Sequence, residues 1–96
     1  MSQLTLTATT NQPLKPLVEA ALNNELRILE AAIQRSERRL GEYEVAHGMD
    51  SGQFIERFEN DELPETLEFV EWVGEYRLLL RLREKADAYR GISIVN

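Results

Sequence analysis

The chain contains no cysteine, a single histidine, three prolines and five glycines. Without cysteine there is no disulfide, no thiolate metal site and no thiol nucleophile, and a reducing cytoplasm is the expected location. One histidine, His47, supplies no metal-ligand set, and no Ser-His-Asp order or glycine-rich phosphate loop surrounds it. A helix-end histidine beside the negative end of a helix dipole accounts for His47 better than catalysis does. No apolar run approaches the roughly 20 residues that span a bilayer, so no membrane role is expected. The D-x-[DN]-x-[DN]-G order of a calcium loop is also missing, and Asp50-Ser51-Gly52 does not replace it. The expectation is a non-enzymatic chain with no catalytic residues, metal or cofactor, although carboxylate chemistry at its acidic segment stays open.

What the chain has is charge in blocks. Residues 1–40 carry five basic and four acidic groups, residues 41–75 one basic and eleven acidic, and residues 76–96 five basic and two acidic. The net charge of -6 is thus concentrated in the middle. An acidic surface disfavours nucleic-acid binding by this chain alone and favours a basic protein partner. The competing reading is a solvated face with helix-start acids, at even odds for the block as a whole.

Leu4, Leu6 and Ala8 alternate with threonines, which predicts a short edge strand before the turn at Thr10–Pro13. Pro16 is expected at the first position of a helix over 16–47, whose Leu22, Leu26, Leu29, Ile33, Leu40 and Tyr43 recur at steps of three and four, with Ser36 as the polar gap. At 1.5 Å per residue that helix is about 48 Å long, too long for a 96-residue ball to wrap. Gly48 is the expected left-handed stop. Asp50 or Ser51 with Gln53 then caps a short helix over 51–60 anchored by Phe54, Ile55 and Phe58. A third helix over 64–90 starts with Pro64 in its first turn and carries Phe69, Trp72, Val73, Tyr76, Leu79, Leu80, Leu82, Ala86 and Tyr89. Gly91 closes it, and residues 92–95 read as a terminal strand.

The predicted fold is therefore all-α: a single domain over 1–96, an antiparallel hairpin of long helices with a short connecting helix and short terminal strands. The apolar surface of the third helix exceeds what one partner covers, so a homodimer forming a four-helix assembly is expected. Its interface would use Leu22, Leu26, Leu29, Ile33, Leu79 and Leu80. In the hairpin register Arg35, Arg38 and Arg39 lie level with Glu71–Glu75, and together with Arg77, Arg81 and Arg83 they are read mainly as internal counter-charges. Gly41 and Gly74 sit at opposed positions and are expected to form a close-approach pair. The partner-binding surface is assigned to Glu56, Glu59 and Asp61 at the bend; Phe69, Trp72 and Tyr76 share one helical face that reads mainly as core, with a fraction of it as an interface hot spot for the partner.

The stretch from His47 to Lys85 reads HGMDSGQFIERFENDELPETLEFVEWVGEYRLLLRLREK. It combines a glycine-methionine turn, a capped short helix with paired phenylalanines, an acidic linker, and a helix with a tryptophan and an E-Y-R-L segment. In this it resembles short prokaryotic helical proteins that are themselves similar to antitoxin-like components of toxin-antitoxin modules. The resemblance implies a chain that binds and silences a basic, ribonuclease-like toxin. It does not extend to a DNA-binding module, because the first helix is far too long for a ribbon-helix-helix. A scaffold that only oligomerises, with no toxin partner, is the alternative.

Overall fold

The computed structural model describes residues 3–94. Three helices follow one another: α1 over Leu14–His47, α2 over Ser51–Glu59 and α3 over Leu67–Arg90. α1 and α3 lie antiparallel, and α2 packs across them at the bend. The body measures 60 × 26 × 18 Å, the rod that the length of α1 imposes.

Each end of the bend is closed by local chemistry. Gly48 takes φ 65° and its N–H donates to the Glu44 carbonyl at 2.9 Å, the left-handed stop expected of it. Asp50 then accepts from the Gln53 N–H at 2.8 Å while its own N–H donates to Gln53 Oε1 at 3.4 Å, a reciprocal capping box. At the end of α2, the Asp61 N–H donates to the Phe58 carbonyl and the Glu62 N–H to the Arg57 carbonyl. That pair of bonds is a Schellman motif, and it places Asp61 at φ 57°, where glycine is the usual occupant.

Two helix starts differ from the sequence expectation. α1 begins at Leu14, so Pro16 lies two residues inside the first turn and not at its first position. Proline is tolerated there because the first N–H groups of a helix have no carbonyl partner in any case. α3 begins at Leu67 and leaves Pro64 outside; Thr66 caps it by accepting from the Phe69 N–H at 3.1 Å. The hydroxyl satisfies an orphan donor that Pro64 cannot address.

Packing runs along the α1–α3 seam. Leu40, Phe54, Trp72, Val73 and Leu79 form the buried cluster, with Leu29 and Ala86 buried towards the open end. Ser36 is buried too, and its hydroxyl donates to Glu75 Oε2 at 2.6 Å while Arg39 reaches Glu75 Oε1 at 3.2 Å. The short serine makes room for that carboxylate, so the polar gap in the α1 stripe sets the helix register. Arg39 thus meets Glu75 as the hairpin register requires. Arg83 pairs with Glu37, Arg77 with Glu59 and Arg90 with Glu30. Arg35, Arg38 and Arg81, by contrast, have no ion-pair partner among the described residues.

α3 ends opposite Glu30, so the α1 segment from Leu14 to Ile28 runs on for about 20 Å with no helix beside it. Residues 3–13 and 92–94 form no strand within the chain, and Val95 lies outside the described residues.

Gly41 and Gly74 do not form the expected close-approach pair, since a Cβ built on either meets nothing within 4 Å. Helix packing therefore gives no reason for either glycine. Gly41→Ala and Gly74→Ala are each expected to stabilise the fold by about 0.5–1 kcal/mol through reduced unfolded-state entropy and better helix propensity. Urea unfolding followed by far-ultraviolet circular dichroism reads this directly. A lower midpoint for either variant would show that its position is sterically occupied.

Candidate functional site

The bend end of the rod joins an enclosed aromatic cluster to an acidic exterior. Trp72 comes from the second turn of α3 and Phe54 from the first turn of α2. Their rings lie parallel, 3.7 Å between centroids and 2° between planes. Tyr43 and His47, one turn apart near the end of α1, stack with Trp72 at 5.4 Å each, and Phe69 meets it edge-on at 6.2 Å. Trp72 is fully buried, and its indole N–H donates to Ser51 Oγ at 2.9 Å. Ser51 is buried as well, and its own N–H donates to Glu44 Oε2 at 2.7 Å. One indole thereby ties together all three helices.

This enclosure corrects part of the expected partner-binding face. Trp72 has no surface to offer, because the chain's own rings cover it. Phe69 and Tyr76 are half-buried against the same cluster. The expected dimer residues divide similarly: Leu29 and Leu79 are buried inside the chain and Ile33 packs on its core, whereas Leu22 and Leu26 are only half-covered and Leu80 is exposed. A purely linear reading assigns these leucines to one stripe, but α3 ends near Leu26 and covers only the later part.

The acidic exterior is built from residues that the fold treats differently. Glu44, Glu68 and Glu75 serve the structure, Glu68 through a 2.9 Å contact from its Oε1 to His47 Nε2. Asp50 is a cap, and Glu59 and Glu62 lie within 4.0 Å of Arg77 and Arg57. Glu56 and Asp61 are exposed and have no ion-pair partner among the described residues, as are Glu42, Glu65 and Glu71. Glu56 also lines a shallow groove of about 410 Å³ with Gly48, Met49, Gln53, Arg57 and Glu62. No group of three or more histidine or acidic side chains among the described residues is arranged to hold a metal ion. No helix among them is long and apolar enough to cross a membrane.

Burial, then the nearby carboxylates of Glu71, Glu68 and Glu75, push the Tyr43 phenol above its ordinary value of 10.0. Sequence reasoning missed Ser51 as the indole acceptor and Thr66 as the α3 cap, although a serine before paired phenylalanines and a threonine three residues before Phe69 were visible signals. Nothing local in the sequence marks the Tyr43 environment, which needs α3 in place.

Two measurements follow. Ser51→Ala leaves a buried indole donor without an acceptor and is expected to cost about 1–3 kcal/mol in chemical unfolding, with a shifted Trp72 emission spectrum. An unchanged midpoint and spectrum would remove the bond from the account of the core. For Tyr43, a folded value raised above the unfolded one means stability that is present below pH 10 and lost as pH rises through the folded value. Tyr43→Phe is therefore expected to weaken the decline in stability above pH 10; an identical alkaline decline would exclude Tyr43 as its source. Compared with protein-family models, with curated proteins and with solved structures, the chain has no match in any of the three.

Proposed function

We propose that this chain is a non-enzymatic interaction module of antitoxin type, which acts as a homodimer in the cytoplasm and neutralises a basic, ribonuclease-like protein by docking it on the acidic bend. The observation that carries the reading is Asp61. A carboxylate stands at a left-handed position where glycine would be less strained, and it faces solvent with no ion-pair partner among the described residues. Backbone strain retained at an exposed acid supports a role outside folding. Glu56 lies on the adjoining helix in the same unpaired state, and Glu59 is held only by a 3.7 Å contact to an exposed arginine. Such a contact contributes little to stability and yields readily to a partner's cation.

Long-range attraction between an acidic bend and a basic partner speeds encounter, and it falls off with salt. Trp72 is not part of the contact surface in this reading. The bend provides a rigid platform, because the Trp72 cluster beneath it locks α2 against the two long helices. A scaffold with no toxin partner is the second reading, favoured by the unpartnered length of α1.

The test uses the small basic product of the adjacent gene, assayed for RNA cleavage. Equimolar chain is expected to abolish cleavage. The combined substitution Glu56→Lys, Glu59→Lys and Asp61→Lys is expected to weaken inhibition by at least about tenfold while leaving helicity intact. Asp61→Gly separates the two roles of that residue: it is expected to raise stability by about 0.5–1 kcal/mol and to weaken inhibition. Full inhibition by the triple variant would refute the acidic bend as the docking surface, and an adjacent gene with no basic toxin product would favour the scaffold.

A further inference from the structure

We propose that the N-terminal third of the chain, residues 4–28, is the surface on which a second copy docks, with the two α1 overhangs packed antiparallel about a twofold axis near Leu22. The proposal specifies the interface of the homodimer invoked above and does not depend on the identity of any toxin.

The overhang is a helix that its own chain leaves without support. The Leu14–Ile28 segment prolongs a helix already nucleated in the packed part of α1, so it stays helical without burying its whole apolar stripe. Its apolar stripe continues the core stripe past the end of α3 through Leu26, Leu22 and Val18. Residues 92–94 cover it only in part, lining with Leu22, Leu26 and Tyr89 an open groove of about 540 Å³. Leu4, Leu6, Leu17 and Ile28 are also substantially exposed, Leu4 at 82%. These are four of the ten large apolar side chains that stand exposed among the described residues; Val45, Leu67, Val70, Leu78, Leu80 and Ile92 are the others.

Charge selects a second copy as the occupant. Residues 4–28 carry two basic and two acidic groups, Lys15, Arg27, Glu19 and Glu25, so this region has no net charge. Residues 41–75, with eleven acids and one base, are strongly acidic. Joining two chains through their overhangs sends the acidic bends to opposite ends of the assembly, where their repulsion is least. Packing the rods side by side and parallel would bring the bends together. About an axis at Leu22, Val18 of each copy faces Leu26 of the other, and Lys15 comes level with Leu29 of the second copy. Two-ended presentation of the bends follows from the same geometry.

The absence of native cysteine allows a direct test on the full-length chain. Leu22→Cys is expected to form a disulfide-linked dimer on mild oxidation, and Glu56→Cys, at the bend, is expected to form no covalent link under the same conditions. Sedimentation velocity of the unmodified chain at high micromolar concentration is expected to show a dimer. Leu22→Asp with Leu26→Asp is expected to raise its dissociation constant at least about tenfold. The Trp72 emission of that variant should be unchanged, since Trp72 lies about 30 Å along the rod. A monomeric native chain overturns both the homodimer and this interface. A dimer that links through Glu56→Cys and not Leu22→Cys, or that survives the double aspartate, overturns the interface alone. Altered Trp72 emission would show that the overhang is coupled to the core of its own chain, against the proposal.

Discussion

The contact on which this molecule depends is Trp72 lying flat on Phe54 while its indole N–H is held by Ser51. The stack and the hydrogen bond reach α2 from α3, and Tyr43 and His47 bring α1 to the same ring. A chain of 96 residues has little interior to distribute, so fastening three helices through one large side chain is an economical use of it. The constraint has two parts. The indole must be covered, and its donor must find an acceptor in a place that water does not reach. Ser51 meets the second requirement only because the Asp50–Gln53 box starts α2 where it does.

From that fastening the rest of the rod takes its order. The bend is the rigid end, with caps on both sides of α2 and an acidic surface, ion-paired only in part, over an aromatic floor. Moving away from it, the seam thins to Leu29 and Ala86 and then stops, while α1 continues. Stability is therefore graded along the long axis, high beside Trp72 and low at the overhang. The two proposed contacts occupy opposite ends of this gradient. A preorganised acidic platform suits a separate basic partner, and a helix that lacks a cover suits a copy of itself. Keeping the two surfaces about a helix length apart lets each be occupied without obstructing the other.

Much of this was legible in the order of residues. The step of three and four from Leu22 to Tyr43 marks a long helix, Gly48 marks its end, and Asp50 with Gln53 marks the next beginning. Antiparallel pairing of Arg39 with Glu75 follows from counting outward from the bend. Local signals of this kind act within a few residues, so their outcome is nearly independent of the remaining chain. The errors arose where two local signals competed or where distance mattered. Pro64 and Thr66 both announce a helix start, and the hydroxyl prevails because it satisfies a donor inside the turn. Pro16 is accommodated in the first turn because the bonds it lacks are absent there anyway. Gly41 and Gly74 looked opposed in sequence, but the faces they occupy do not meet.

The sequence by itself determined the helical period, the caps and the partition of charge, since each depends on neighbours one to four positions away. Tertiary structure alone decided how completely the chain's own rings enclose Trp72, that Asp61 carries strain at an open position, and that α1 outruns α3. Those outcomes depend on how far each helix extends beside another and at what rotation. Side chains some twenty to forty residues apart set both, through contacts such as Trp72 with Ser51 and Ser36 with Glu75.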